Sequence, residues 1–174
     1  MRADRIERVV VRGANWVGDA VLTVPALREL RRVLPQAHIT LATRPWAEGV
    51  FADADFIDDL LLVDDRRGAR GFIRRLRAWR ERRFDLALLF PNAFAPALTA
   101  FAARVPLRFG YATDGRAALL THALPLPDWR STRHEVFYYL NLVAGLERAL
   151  AGAAADEREM RFDLRVSEPR KAEA

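Results

Sequence analysis

The sequence predicts an α/β domain built on a mostly parallel sheet. Three observations carry that expectation. Short apolar segments of strand length alternate with longer segments of helical period. The connections between them are short. The first apolar segment places Val9, Val10 and Val11 in succession, as in a strand buried on both faces. With 174 residues, 51% of them hydrophobic, the chain is long enough for one domain with a core of its own.

Residues 6–12 read as the first strand and 13–18 as the loop that leaves it. Residues 19–34 are apolar at helical spacing, with Leu27, Leu30 and Leu34 on one face and Arg28, Arg31 and Arg32 off it. Pro25 lies inside this stretch, so the helix either kinks or restarts after one short turn. Residues 38–43 form a second strand and 45–51 a short helix with Pro45 in its first turn. A strand at 60–63 precedes a helix at 72–83, which carries Phe72, Ile73, Leu76 and Trp79 on one side. Then come a strand at 85–90, a helix at 93–103, a strand at 107–111, a long helix at 133–151 and a last strand at 161–166. Residues 1–166 are thus the expected domain. The polar segment 167–174, with Pro169, is expected as a linker or frayed end, so the chain reads as half of a larger protein.

Composition excludes several chemistries. There is no cysteine, hence no disulfide, no thiolate catalysis and no Cys-based metal site. The three histidines, His38, His122 and His134, are far apart, which argues against a His-rich metal site. The net charge of +5 is carried almost wholly by arginine, Lys171 being the one lysine. Guanidinium forks suit phosphate and carboxylate groups. No apolar run has the length of a signal-peptide core or a membrane span, so the expected location is cytoplasmic.

Residues 12–19 read RGANWVGD between a strand and a helix. Loops at the carboxyl ends of strands form the binding edge of an open α/β sheet. The spacing matches neither a P-loop nor a dinucleotide fingerprint. Asp19 either caps the helix or serves as a general base held at a cleft by a glycine turn. A second feature is a switch of charge. Residues 53–65 hold six aspartates, and residues 66–83 hold nine arginines with one acid, Glu81. The helical arginines read as a solvated face. Arg66, Arg67 and Arg70, in a glycine-containing loop after a strand, are placed to grip an anionic ligand or a membrane headgroup. No nucleic-acid motif is present, and Phe72 and Trp79 read as core. In RFGYATDGR, at 108–116, Asp114-Gly115 marks a turn between strands. In RHEVFYYLNL, at 133–142, Val136, Tyr139 and Leu140 read as core, while His134 could cap, stack or bind.

The segments RGANWVGDAVLTVPALRELRRVLP, FDLALLFPNAFAPAL, RFGYATDGRAALLTHALPL and RHEVFYYLNL together resemble the lipopolysaccharide heptosyltransferases of glycosyltransferase family 9, over about residues 6–146. One departure falls at FPNAFAPAL, where the family carries a serine after Asn92 and a basic or polar residue near Ala95. The resemblance implies a Rossmann-like domain, the N-terminal half of a two-domain GT-B transferase. It implies inverting transfer of heptose from ADP-L-glycero-D-manno-heptose to an anionic glycolipid, heptosyl-Kdo-lipid A, at the cytoplasmic face of the inner membrane. The donor would bind mainly in a C-terminal domain that this sequence lacks, and the chain alone would be inactive. No metal or other cofactor is implied. Asp19 would be the general base. Asn15, Trp16, Gly18, Asn92, Tyr111, Arg116 and His134 would contact the acceptor, with Arg66, Arg67 and Arg70 holding its anions. Two alternatives stay open: a family member with another core or O-antigen acceptor, and a non-catalytic module that binds an anionic glycolipid.

Overall fold

The computed structural model describes residues 5–63, 68–152 and 162–164. Six strands form one sheet: β1 (Arg8–Arg12), β2 (His38–Thr43), β3 (Asp59–Leu62), β4 (Leu86–Leu89), β5 (Leu107–Tyr111) and β6 (His122–Leu124). Their spatial order is β3-β2-β1-β4-β5-β6, and every pairing is parallel. The helices are α1 (Val17–Leu22), α2 (Val24–Val33), α3 (Glu48–Phe51), α4 (Ala69–Arg82), α5 (Phe94–Ala102) and α6 (Glu135–Ala151).

The valines of β1 show why the sheet is covered on both sides. Side chains alternate along a strand. Val9 and Val11 enter a core with Leu27, Leu30, Leu41 and Leu142, beneath α1, α2, α3 and α6. Val10 enters a separate core with Trp79, Phe84, Ala97 and Ala100, beneath α4 and α5. All three valines have no exposed surface. Burying each contributes roughly 1.5 kcal/mol or more, so β1 ties both layers to the sheet.

The stretch 19–34 resolves into a restart. α1 ends at Leu22, Thr23 is buried with its hydroxyl donating to the Ala20 carbonyl at 2.6 Å, and α2 opens at Val24 with Pro25 in its first turn. Proline is tolerated there because the first helical amides have no intrahelical acceptor. α4 starts three residues earlier than its periodicity suggested. At 112–121 the chain makes a left-handed turn at Asp114 and Gly115, then a single 3-10 turn at Ala117–Leu119, and returns as parallel β6. A strand after the Asp114-Gly115 turn was expected, but its bounds were not: three residues are too few for a periodic signal. The strand expected at 161–166 is not formed at Phe162, Asp163 and Leu164. Its other residues, and the linker 167–174, lie outside the described residues. α6 crosses back over α1 and α2, and the Glu147 carboxylate pairs with Arg32 at 2.7 Å. Among the described residues no helix is long and apolar enough to cross a membrane.

Candidate functional site

Because every strand is parallel, the loops after β1, β2, β4 and β5 emerge at one edge. The order reverses between β1 and β4, where a crevice opens in such sheets.

The loop after β1 is fixed from beneath. Arg12, the last residue of β1, is buried at 7% exposure. Its Nη2 donates to the Asn15 Oδ1 at 2.9 Å, and its Nη1 donates to the Gly13 carbonyl at 2.5 Å and the Ala42 carbonyl at 3.4 Å. All three acceptors are neutral. Burial, with the positive charges of Arg44 and Arg75 nearby, pulls the Arg12 pKa down to about 10. Arg44 Nη2 lies 3.5 Å from the same Asn15 oxygen. Asn15, expected to contact a ligand, therefore spends its oxygen on anchoring the loop. Arg12 itself escaped the sequence reading. The available signal was a charged residue closing an otherwise apolar strand.

Trp16 occupies the N-cap position of α1 and makes no side-chain cap. Asp19, for which capping was one reading, sits inside the first turn. Its side chain is half-buried and makes no hydrogen bond or ion pair among the described residues. Its charge is felt at Tyr139 of α6: burial raises the Tyr139 hydroxyl pKa most, and the Asp19 charge raises it further. Tyr139 was read as core, and it is, stacked edge-on against Phe90 at 5.1 Å. It nevertheless lies within electrostatic reach of the Asp19 carboxylate. Trp16 is 75% exposed on the rim. A Cβ added at Gly18 would meet nothing within 4 Å, so the protein's own packing does not demand glycine there.

Asn92, Tyr111 and Arg116 come together, although they follow different strands. Arg116 has no exposed surface. It donates to the carbonyls of Tyr111 at 2.9 Å and Ala93 at 3.3 Å, to the Pro91 carbonyl, and to the Asn92 Oδ1 at 3.4 Å. The Tyr138 hydroxyl donates to the same Asn92 oxygen at 2.9 Å. The Tyr111 ring stacks on Tyr138 at 4.1 Å. Its hydroxyl donates to the Tyr138 carbonyl at 2.8 Å and accepts from Asn141 at 3.0 Å. Tyr111 and Arg116 were expected to touch a ligand. Both are buried, and they brace the loops after β4 and β5 against α6. A Cβ at Gly110 would lie 3.2 Å from Arg116 Nη2, so the small residue leaves the guanidinium its path.

His134 caps α6, its Nδ1 accepting from the Val136 amide at 3.4 Å, and its ring is exposed. Arg130 covers the Tyr138 ring at 4.3 Å and pairs with Glu135 at 2.7 Å. Sequence reasoning passed over Tyr138 and Arg130, which lie in tertiary contact with no local pattern. Arg70 is exposed in the first turn of α4, while Arg66 and Arg67 lie outside the described residues. Among the described residues no three His, Asp or Glu side chains gather as a metal-binding group.

No family model matches the chain. Over 119 residues, 67% of its length, it is 32% identical to lipopolysaccharide heptosyltransferase 2 of Salmonella typhimurium strain LT2. It is 31% identical over 116 residues, 65% of its length, to the protein of the same name in Escherichia coli K12. The solved E. coli ADP-heptose heptosyltransferase II superposes on 97% of the chain, with a TM-score of 0.75 and 25% identity. The chain is a relative of the lipopolysaccharide heptosyltransferases. A glycosyl transferase family 9 structure from Veillonella parvula DSM 2008 shares the fold over 100% of the chain, with a TM-score of 0.82 and 24% identity. The chain spans about a third of the length of these curated relatives, 34% and 33%, and 49% of each of the two solved chains.

Proposed function

We propose that this chain is the acceptor-binding part of an inverting heptosyltransferase. Its acceptor would be heptosyl-Kdo-lipid A at the cytoplasmic face of the inner membrane, and its donor ADP-L-glycero-D-manno-heptose. The observation that carries the reading is Asp19. Its half-buried carboxylate stands at the crevice edge with no hydrogen-bond partner among the described residues, in a relative of heptosyltransferases.

In this reading Asp19 accepts the proton of an acceptor heptose hydroxyl. The oxygen then bonds to the anomeric carbon of the donor as the bond from that carbon to the diphosphate oxygen breaks. ADP leaves with the electron pair from the opposite face, which inverts the centre. General-base assistance of this kind is worth on the order of 10² to 10⁴ in rate. Arg12 and Asn15 hold the loop that leads to α1, so Asp19 acts from a fixed position. Arg70, with Arg66 and Arg67, would meet the carboxylates and phosphates of the acceptor. Contacts to the leaving diphosphate would belong to a second domain, so the 174-residue chain would bind acceptor without turning over.

The test is a titration of the chain with two ligands in turn, a delipidated phosphorylated heptosyl-Kdo acceptor and ADP-heptose. Salt-sensitive acceptor binding that shifts the amides of Gly18 and Asp19, with little donor binding, is expected. Donor binding without an acceptor response would overturn the assignment. In a protein that also carries a donor domain, Asp19→Asn should lower turnover by about two decades or more while leaving acceptor affinity near normal.

A further inference from the structure

Asn92 is held at two atoms by three side chains. Its backbone carbonyl accepts from the Thr113 hydroxyl at 3.2 Å. Its Oδ1 accepts from the Tyr138 hydroxyl at 2.9 Å and from Arg116 Nη2 at 3.4 Å. An arginine nitrogen can only donate, so the amide atom that meets Arg116 is the oxygen. One of the two amide orientations is thereby selected, with Nδ2 turned the other way. That Nδ2 makes no hydrogen bond among the described residues and is not buried. Asn92 lies in the loop after β4, the strand beside β1, where the order of the sheet reverses. Two N–H donors of set direction therefore stand at the sheet edge that carries the Asp19 loop. Behind them lies a charge. Arg116 has no exposed surface, and the carbonyls and amide it donates to are all neutral. Among the described residues no carboxylate pairs with it. Linked hydrogen bonds polarise one another, so the guanidinium draws electrons toward Oδ1 and leaves Nδ2–H the more positive.

We propose that Asn92 Nδ2 is a donor-only subsite for an anionic oxygen of the acceptor, a carboxylate or a phosphate, and that Tyr138 is the positioning residue that keeps this donor turned outward. A polarised N–H gains most from a charged acceptor atom. Arg116 contributes its charge through the amide and does not touch the ligand. Tyr138 suits its part: the side chain is buried and its ring is stacked on Tyr111 at 4.1 Å, so its hydroxyl has one direction. An amide oriented beforehand has less freedom to lose when a ligand binds. The inference rests on the reading above and deepens it, by naming a group that recognises the charge of the acceptor from the β4 side of the sheet.

The 174-residue chain is titrated with the delipidated heptosyl-Kdo acceptor in phosphorylated and dephosphorylated forms. Asn92→Asp keeps an oxygen for Tyr138 and Arg116 but places a second oxygen where Nδ2 stood. It should hold or raise the melting temperature, yet weaken binding of the phosphorylated acceptor by about fivefold or more. Tyr138→Phe keeps the ring and removes the hydroxyl, and should weaken binding about threefold. In the Asn92→Asp background the same change should cost nothing further, because no donor is left to orient. The Asn92 Nδ2 protons should shift in the NMR spectrum of the wild type as acceptor is added. A loss in Asn92→Asp that persists with the dephosphorylated acceptor assigns the subsite to a carboxylate, and a loss confined to the phosphorylated form assigns it to a phosphate. Additive losses in the double variant would overturn the positioning role of Tyr138. A loss below about fivefold in Asn92→Asp, as a hydroxyl able to turn and donate would give, would overturn the anionic subsite and leave the transfer reading intact if the Gly18 and Asp19 amides still shift. A wild type in which acceptor shifts neither amide would remove the transfer reading, and this inference with it.

Discussion

A guanidinium with no exposed surface is expensive to keep in a protein, and Arg116 offsets that cost with acceptors drawn from two separate segments, 91–93 and Tyr111. Its fork reaches the loops after β4 and β5 together, a span that lysine's single ammonium cannot cover. Arg116→Ala should therefore lower stability by about 3 kcal/mol or more, since it strands several carbonyls and opens a cavity. Arg116→Lys should recover little of that loss. Urea unfolding measures both, and a change below about 1 kcal/mol for the alanine variant would contradict the brace. The sequence could not reveal this role. An arginine after an Asp-Gly turn is ordinarily exposed, and the acceptors that let Arg116 be buried lie mostly at residues 91–93, far from it along the chain. Asp19 was legible for the opposite reason: its position depends on the local order of strand, glycine-containing loop and helix. What stayed hidden was the electrostatic link to Tyr139, which carries the same helical spacing as its purely structural neighbours.

Elements long enough to show a period were readable, and the short ones were not. The first five strands and the helices at 45–51, 72–83, 93–103 and 133–151 follow from apolar spacing and their flanking prolines and glycines. β6 has three residues and no period of its own. With the bounds of β6 unread, the reason for a glycine in α6 was concealed too. A Cβ at Gly145 would sit 2.1 Å from a methyl of Leu124 in β6. Helix propensity alone says Gly145→Ala gains up to about 1 kcal/mol, whereas overpacking typically costs about 1–3 kcal/mol. The contact decides the sign, so Gly145→Ala should lower the melting temperature, and adding Leu124→Ala should restore part of it. A higher melting temperature for the single variant would show that Leu124 can turn aside freely.

Across the whole molecule, the doubly covered sheet was legible because residues such as the valines of β1 must satisfy two cores at once. The ionic seam that joins α2 to the segment before β3 was not, since pairing between 28–32 and 55–58 is tertiary. Asp58 sits at its centre. Burial pushes the Asp58 pKa up, but the Ile39 amide at 2.7 Å and Arg31 outweigh it and hold the carboxyl below its ordinary value. A carboxyl depressed in the folded state contributes stability that is full above its unfolded pKa, about 4, and fades as pH falls through the folded value. Asp58→Asn should thus weaken the protein at neutral pH and flatten the acid limb of its stability curve. A variant curve parallel to the wild type below about pH 4 would rule the seam out as a source of acid sensitivity. The return of α6 across α1 has a further consequence, one of time. Asp19 precedes Tyr139 of α6 by 120 residues, so Tyr139 is added roughly 6–24 s later at about 5–20 residues per second. Throughout that interval the nascent chain carries Asp19 without the helix that packs on α1, so that side of α1 stays uncovered until α6 has been made.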